Sequence, residues 1–182
     1  LFSAAWIMKN ERSLGKKIWT SAYTISTAGQ RMDKVDYVMG VVEDVRQRET
    51  QPVDAPLWDK GLAGMHRWLM ETNGLGSFLA AQVVADLKNI KDHILAQAPD
   101  WHTWSTHGPG SLKGLTAYFG YQITPSSYAK HLWICWQQVK PLLPPNLQDL
   151  HMQDFQNCMC EFSKFMRVRA GGHARNKYNA NA

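Results

Sequence analysis

The run Trp68-Leu69-Met70-Glu71-Thr72-Asn73-Gly74-Leu75-Gly76-Ser77-Phe78-Leu79-Ala80-Ala81-Gln82-Val83-Val84 constrains this chain more than any other stretch. Two helical patterns flank an Asn-Gly-Leu-Gly bend, and glycine is the residue that accepts positive φ without a Cβ clash. Such a bend folds two helices back on each other, with Leu75 plugging the hairpin into a core and Ala80 letting the helices approach closely. It also leaves backbone N–H groups uncovered at the second helix's N-terminus, where an anion can sit. An ordinary glycine-capped helix followed by another helix is the plainer reading of the same residues.

The rest of the chain reads as helices and loops. Apolar spacing predicts helices over residues 1–8, 15–25 and 32–48, the last with Val35, Val38, Met39, Val42 and Val45 on one stripe. Pro52 and Pro56 make residues 50–56 a loop, and a further helix starts near Leu57 and runs to Met70. Helices are also expected over 77–87, from an N-cap at Ser111 through Leu112, Leu115 and Phe119, over 128–139 and over 147–169. Pro141, Pro144 and Pro145 separate the last two. No run alternates as a strand does and no repeat is evident, so the expected class is all-α. At 182 residues and 45% hydrophobic content, one helical domain over 1–169 followed by a basic tail over 170–182 is the expected organisation. The chain opens on Leu1 inside a helical pattern, so an upstream segment is expected.

Composition narrows the partner. The excess of 20 Lys+Arg over 15 Asp+Glu, a formal +5, suits a polyanion. No stretch approaches the ~20 apolar residues of a membrane span and no signal pattern is present, so a cytoplasmic location without a membrane partner is expected. Cys135, Cys158 and Cys160 are odd in number and form no Cys-x-x-Cys pair, which fits reduced thiols; neither metal nor cofactor is expected.

Candidate chemistry lies downstream of the bend. In Ala98-Pro99-Asp100-Trp101-His102-Thr103-Trp104, Asp100 can stabilise positive charge or act as a base toward a nucleophile; a turn-forming surface Asp is the plainer reading. Trp101 and Trp104 can stack on an extruded base or simply fill a core, while His102 and His107 can hydrogen-bond a base or phosphate. Gly108, Gly110, Ser111 and Lys113 form a phosphate-cradling pattern at a helix N-terminus, or a turn and cap. Lys113 is followed by Gly114 rather than Ser or Thr and no strand precedes the loop, so this is not a Walker motif and kinase activity is not supported. On the last helix Asp154, Asn157, Glu161 and Lys164 share a polar face opposite Phe155, Met159, Phe162 and Met166, a solvated face or a pocket wall. Gln153 and Gln156 add amides suited to a base edge. Beyond Glu161 no acid occurs, while Lys164, Arg167, Arg169, Arg175 and Lys177 follow, a set that binds phosphates or stays solvated.

The stretch around residues 66–87 resembles the helix-hairpin-helix DNA-binding motif, which grips phosphates without reading sequence and would do so here through Asn73, Gly74, Gly76 and Ser77. Taken with Gly15-Lys16-Lys17-Ile18-Trp19-Thr20-Ser21-Ala22-Tyr23, Asp33-Lys34-Val35-Asp36-Tyr37-Val38, residues 100–114 and residues 150–165, the chain resembles the α-glutamyl/putrescinyl thymine pyrophosphorylase family, related to DNA glycosylases. The resemblance implies a helix-hairpin-helix glycosylase-like bundle acting on double-stranded DNA that carries a modified pyrimidine. Pyrophosphorylated 5-hydroxymethyluracil, flipped from the stack, would lose pyrophosphate to an amine or amino-acid co-substrate. It implies catalytic acids at Asp100, Asp154 and Glu161, and phosphate contacts from Gly108, Gly110, Ser111, Lys113, Arg167 and Arg169. Base contacts would come from Trp101, His102, Trp104, His107, Gln153 and Asn157. Excision of a hypermodified base by a glycosylase keeps the same fold, with a Schiff-base route disfavoured because residues 77–86 contain no lysine. A third reading is a non-catalytic DNA-binding module.

Overall fold

The computed structural model describes residues 2–19, 26–27, 29–50 and 61–173. Its α-helices are α1 (Phe2–Ser13), α2 (Lys34–Thr50), α3 (Gly61–Met70), α4 (Ser77–Lys88), α5 (Pro109–Phe119), α6 (Tyr128–Val139) and α7 (Met152–Arg169). Short 3-10 turns link them, and no strand occurs among the described residues, so the all-α class expected from the sequence is what the structure shows.

Several boundaries move for identifiable reasons. α1 runs on to Ser13 and stops where Gly15 takes a φ of 77°, its amide donating to the Arg12 carbonyl at 3.0 Å. Residues 16–19 are therefore not helical, against the helix expected over 15–25; positions 20–25, the 51–56 loop and the helix start at Leu57 lie outside the described residues. α7 starts at Met152 rather than at 147, because Pro145–Leu147 closes a separate 3-10 turn. Ser111 is not the cap of α5 either. Pro109 opens that helix with a fixed φ, and Ser111, two residues in, donates its hydroxyl to the Gly108 carbonyl at 3.1 Å and accepts the Gly108 amide at 3.0 Å.

Two apolar clusters organise the chain. Leu62, Met65 and Leu69 of α3 pack on Ala80 and Val84 of α4 and on Leu95 of the turn Ile94–Gln97, with Leu75 partly buried against them. Leu115, Ile123, Tyr128, Leu132, Cys135, Trp136, Met152, Phe155 and Met159 join α5, α6 and α7 in the second. Each such side chain withdrawn from water contributes roughly 1.5–3 kcal/mol. Directional contacts link the clusters: the Met152 amide donates to the His102 carbonyl at 2.9 Å, and Gln153 Nε2 donates to the Ala81 carbonyl at 3.0 Å.

α5 and α7 are pressed together at two glycines one turn apart. A Cβ on Gly114 would collide with the Met159 carbonyl of α7, and one on Gly110 with Cys160 Sγ. Exposed Gly40, inside α2, meets nothing within 4 Å. Gly114→Ala is therefore expected to destabilise by roughly 1–3 kcal/mol through overpacking, while Gly40→Ala stabilises by about 0.5–1 kcal/mol through helix propensity. Thermal melts check both signs, at roughly 2–4 °C per kcal/mol.

Candidate nucleic-acid interface

The bend between α3 and α4 is built by three local causes. Thr72 is buried and its amide donates to the Leu69 carbonyl at 3.0 Å; Gly74 then takes a φ of 94°, and the Leu75 amide returns to the Thr72 carbonyl at 3.1 Å. Gly74 also lies against α2, where a Cβ would stand 2.6 Å from the Tyr37 hydroxyl and 2.9 Å from Val41 Cγ2. Arg48 of α2 locks the bend from behind: Nη1 donates to the Trp68 carbonyl and to Thr72 Oγ1, both at 2.8 Å, and Nη2 to Glu71 at 2.6 Å. The guanidinium covers the Trp68 ring at 4.8 Å. It thereby adds a second donor to the Trp68 carbonyl near the end of α3, which the Glu71 amide also reaches at 3.3 Å.

The outer side of the bend faces water. Asn73 and Gly76 are exposed, and Gly76, in extended backbone at φ −70°, brings no side chain to cap α4. The Ser77 and Leu79 amides have no acceptor among the described residues. Uncapped first-turn amides at the positive end of a helix dipole attract anions. The Ser77 hydroxyl points the other way, 3.3 Å from His66 Nε2 and 3.3 Å from Thr106 Oγ1, so what Ser77 offers outward is its amide.

Asp100 does not join this surface. Its carboxylate accepts the Leu62 amide at 2.7 Å and the Ala63 amide at 2.9 Å, which makes it the cap of α3 across 38 positions of sequence. The bend is at the other end of α3, a ten-residue helix and hence ~15 Å away. A carboxylate with both oxygens committed to a helix end corrects the expectation of a base poised beside the bend. Trp101 and Trp104 are corrected too. Both are partly buried against the α3/α4 cluster, Trp101 Nε1 donating to the Lys88 carbonyl at 3.3 Å and Trp104 contacting the His66 ring at 5.4 Å, so neither is free to stack on a base.

The segment does assemble a polar cluster that sequence reasoning reached only in part. His102 and His151 meet edge-on to Trp101 and to each other, the two imidazoles 5.2 Å apart. His151 Nδ1 lies 2.8 Å from Asp154 Oδ2 and 3.4 Å from Lys88 Nζ. The shorter contact is the donation Nδ1–H to carboxylate, which leaves Lys88 only the face of Trp101, at 5.1 Å, and the field of Asp154. Lys88 is 1% exposed. Burial pushes its pKa below the ordinary lysine range, with Asp154 pulling the other way. Burial, then Lys88, lower the His151 pKa, against Asp154. Lys88 stands two positions beyond the stretch 77–86. Its signal was periodicity: Ala81, Val84 and Lys88 follow i, i+3, i+7, so the lysine continues the buried stripe of α4.

On α5 and α7 the expected phosphate and base contacts are redistributed. Gly110 lies within α5 and, with Gly114, serves close packing on α7 rather than a phosphate-cradling loop; Ser111 is fully buried. Gln153 is 4% exposed and bonded to α4, its Oε1 without a partner among the described residues, so it is a packing amide and not a reader of bases. Asp154, Asn157, Glu161 and Lys164 do line one accessible face, with Lys164 donating to Glu161 at 2.5 Å. Gly110, Lys113, Glu161, Lys164 and Arg167 meet in a cleft of about 710 Å³, which Arg169 does not line. His107 is exposed beside the Tyr128 ring, at 5.8 Å.

The family described as "5-hmdU DNA kinase, helical domain" matches residues 3–175. This replaces the pyrophosphorylase family suggested by resemblance. No curated protein and no solved structure matches the chain. No helix among the described residues is long and apolar enough to cross a membrane.

Two substitutions test the assignments. Asp100→Ala is expected to cost about 0.5–2 kcal/mol of stability, the range of a lost helix cap, read from denaturant midpoints. For Lys88 the folded pKa lies below the unfolded one, so the unfolded chain holds the proton more tightly and the buried ammonium costs stability at pH 7. That cost fades as pH rises toward ~10.4, where the unfolded lysine also loses its proton. Lys88→Met should therefore raise the melting temperature at pH 7, with a gain that shrinks in alkaline buffer; a drop at pH 7 would make the ammonium a net stabiliser.

Proposed function

The chain belongs to the 5-hmdU DNA kinase helical-domain family, and from that premise we propose that it binds duplex DNA carrying 5-hydroxymethyluracil and presents the modified base for phosphorylation of its hydroxymethyl oxygen. The observation that carries this reading is the bend at residues 73–76. Its backing by Arg48 fixes the shape, and the uncapped start of α4 offers amides to a DNA phosphate. Phosphate contacts of this kind position a duplex without reading its sequence, which suits an enzyme that recognises a base by its modification. The candidate acids are each engaged: Asp100 caps α3, and on one face of α7 Asp154 holds His151 and Glu161 holds Lys164. Binding and presentation, not bond-making, is therefore the task that these residues support.

Displacement of pyrophosphate by an amine or amino acid, and excision by water, act on the same bound base and differ in product. Digestion and mass spectrometry of DNA carrying hydroxymethyluracil or its pyrophosphate ester, after incubation with the protein, a nucleoside triphosphate and amines, separates them. A phosphomethyl base agrees with phosphorylation, a base-amine adduct with displacement, and an abasic site with excision.

Gly76→Asp tests the bend directly. Nothing stands within 4 Å of a Cβ there, and an aspartate N-cap stabilises by a few tenths of a kcal/mol relative to glycine. The same carboxylate occupies the amides and repels phosphate, so duplex affinity should fall by about tenfold while stability holds or rises. Unchanged affinity in fluorescence anisotropy would remove the bend from the DNA contact.

A further inference from the structure

The charge of this chain is concentrated at one end. Five of its 20 lysines and arginines and none of its 15 acids follow Glu161, so residues 1–161 are neutral and the whole excess of +5 belongs to 162–182. Lys164, Arg167 and Arg169 are on the C-terminal half of α7, which forms one wall of the cleft against α5, with Lys113 on the other wall. Glu161 engages Lys164, but Lys113 and Arg167 have no acidic partner among the described residues. Between these cations the cleft carries Phe165, 58% exposed, and Val168, 46% exposed.

An aromatic ring held in water between unpaired cations is the composition of a groove for an unpaired nucleic-acid strand: bases stack on the ring while phosphates meet the cations. A paired duplex hides its base faces in the stack, so such a ring has nothing to grip there. We infer that the α5/α7 cleft holds an unpaired stretch of DNA, with Phe165 as the stacking platform and Lys113 and Arg167 as phosphate contacts. This rests on the DNA-binding reading above and adds to it a second contact that recognises opened rather than paired DNA.

Anisotropy titrations of the full chain against three labelled probes test it: a fully paired duplex, the same duplex with a short unpaired bulge, and a single strand. The expected result is preference for the bulged and single-stranded probes. Phe165→Ala should weaken both by roughly tenfold and leave the paired duplex unchanged. Arg167→Gln should lower the salt slope on single strands by about 0.7. Both side chains are exposed, so melting curves should match the parent. If both variants bind the bulged probe as the parent does while Gly76→Asp still weakens the paired duplex, the cleft inference fails and the hairpin reading stands. Absence of any DNA binding by the parent overturns both. Phe165-dependent self-association in sedimentation, without an effect on DNA, assigns the cleft to a second copy of the chain and also overturns the inference.

Discussion

Asp100, Trp101 and His102 tie three helices together within three consecutive residues. The carboxylate holds the amides that open α3, the indole N–H holds the carbonyl of Lys88 at the end of α4, and the His102 carbonyl receives the amide that opens α7. Each bond satisfies a helix-end group that has no partner within its own helix, or fixes one helix end against another. The carboxylate bonds are charge-assisted and correspondingly strong. The orientation of the hairpin relative to the α5/α6/α7 cluster depends on this node, and through it the placement of the bend relative to the α5/α7 cleft.

Around the node the two apolar clusters meet through directional polar contacts. Gln153 reaches the Ala81 carbonyl, and the His151–Asp154 pair stands against Lys88 beside the Trp101 ring. Hydrogen bonds specify one geometry where apolar surfaces alone tolerate sliding, and they do so at a cost when a group is left short of partners. Gln153 Oε1 and the Lys88 ammonium both bear that cost.

Local chemistry was legible in the sequence where neighbours in the chain determine it. The all-α class, the bend at Gly74, the partial burial of Leu75, the full burial of Ala80 and the polar face of α7 all follow from periodicity or glycine placement. Roles decided by distant partners were not. Asp100 reads as a turn residue or a base until Leu62 and Ala63 appear at its oxygens, and Gln153 reads as an amide for a base edge until Ala81 does. Gly110 and Gly114 invite a phosphate-loop reading because the pattern cannot say that a second helix lies against them. Lys88 was hidden by its charge, although its position on the apolar stripe of α4 marks it as buried.

The contact of Gly110 and Gly114 with α7 also acts as a gauge. Because the Met159 carbonyl occupies the volume that a methyl group on Gly114 would need, the approach of α5 to α7 is set there by backbone and not by adjustable side chains. Lys113 and Arg167, rooted on the cleft walls those helices form, inherit a fixed span. Retuning this cleft to a bulkier occupant would require the helices to part, whereas exchanging the cations along its rim would alter affinity and leave its bore untouched.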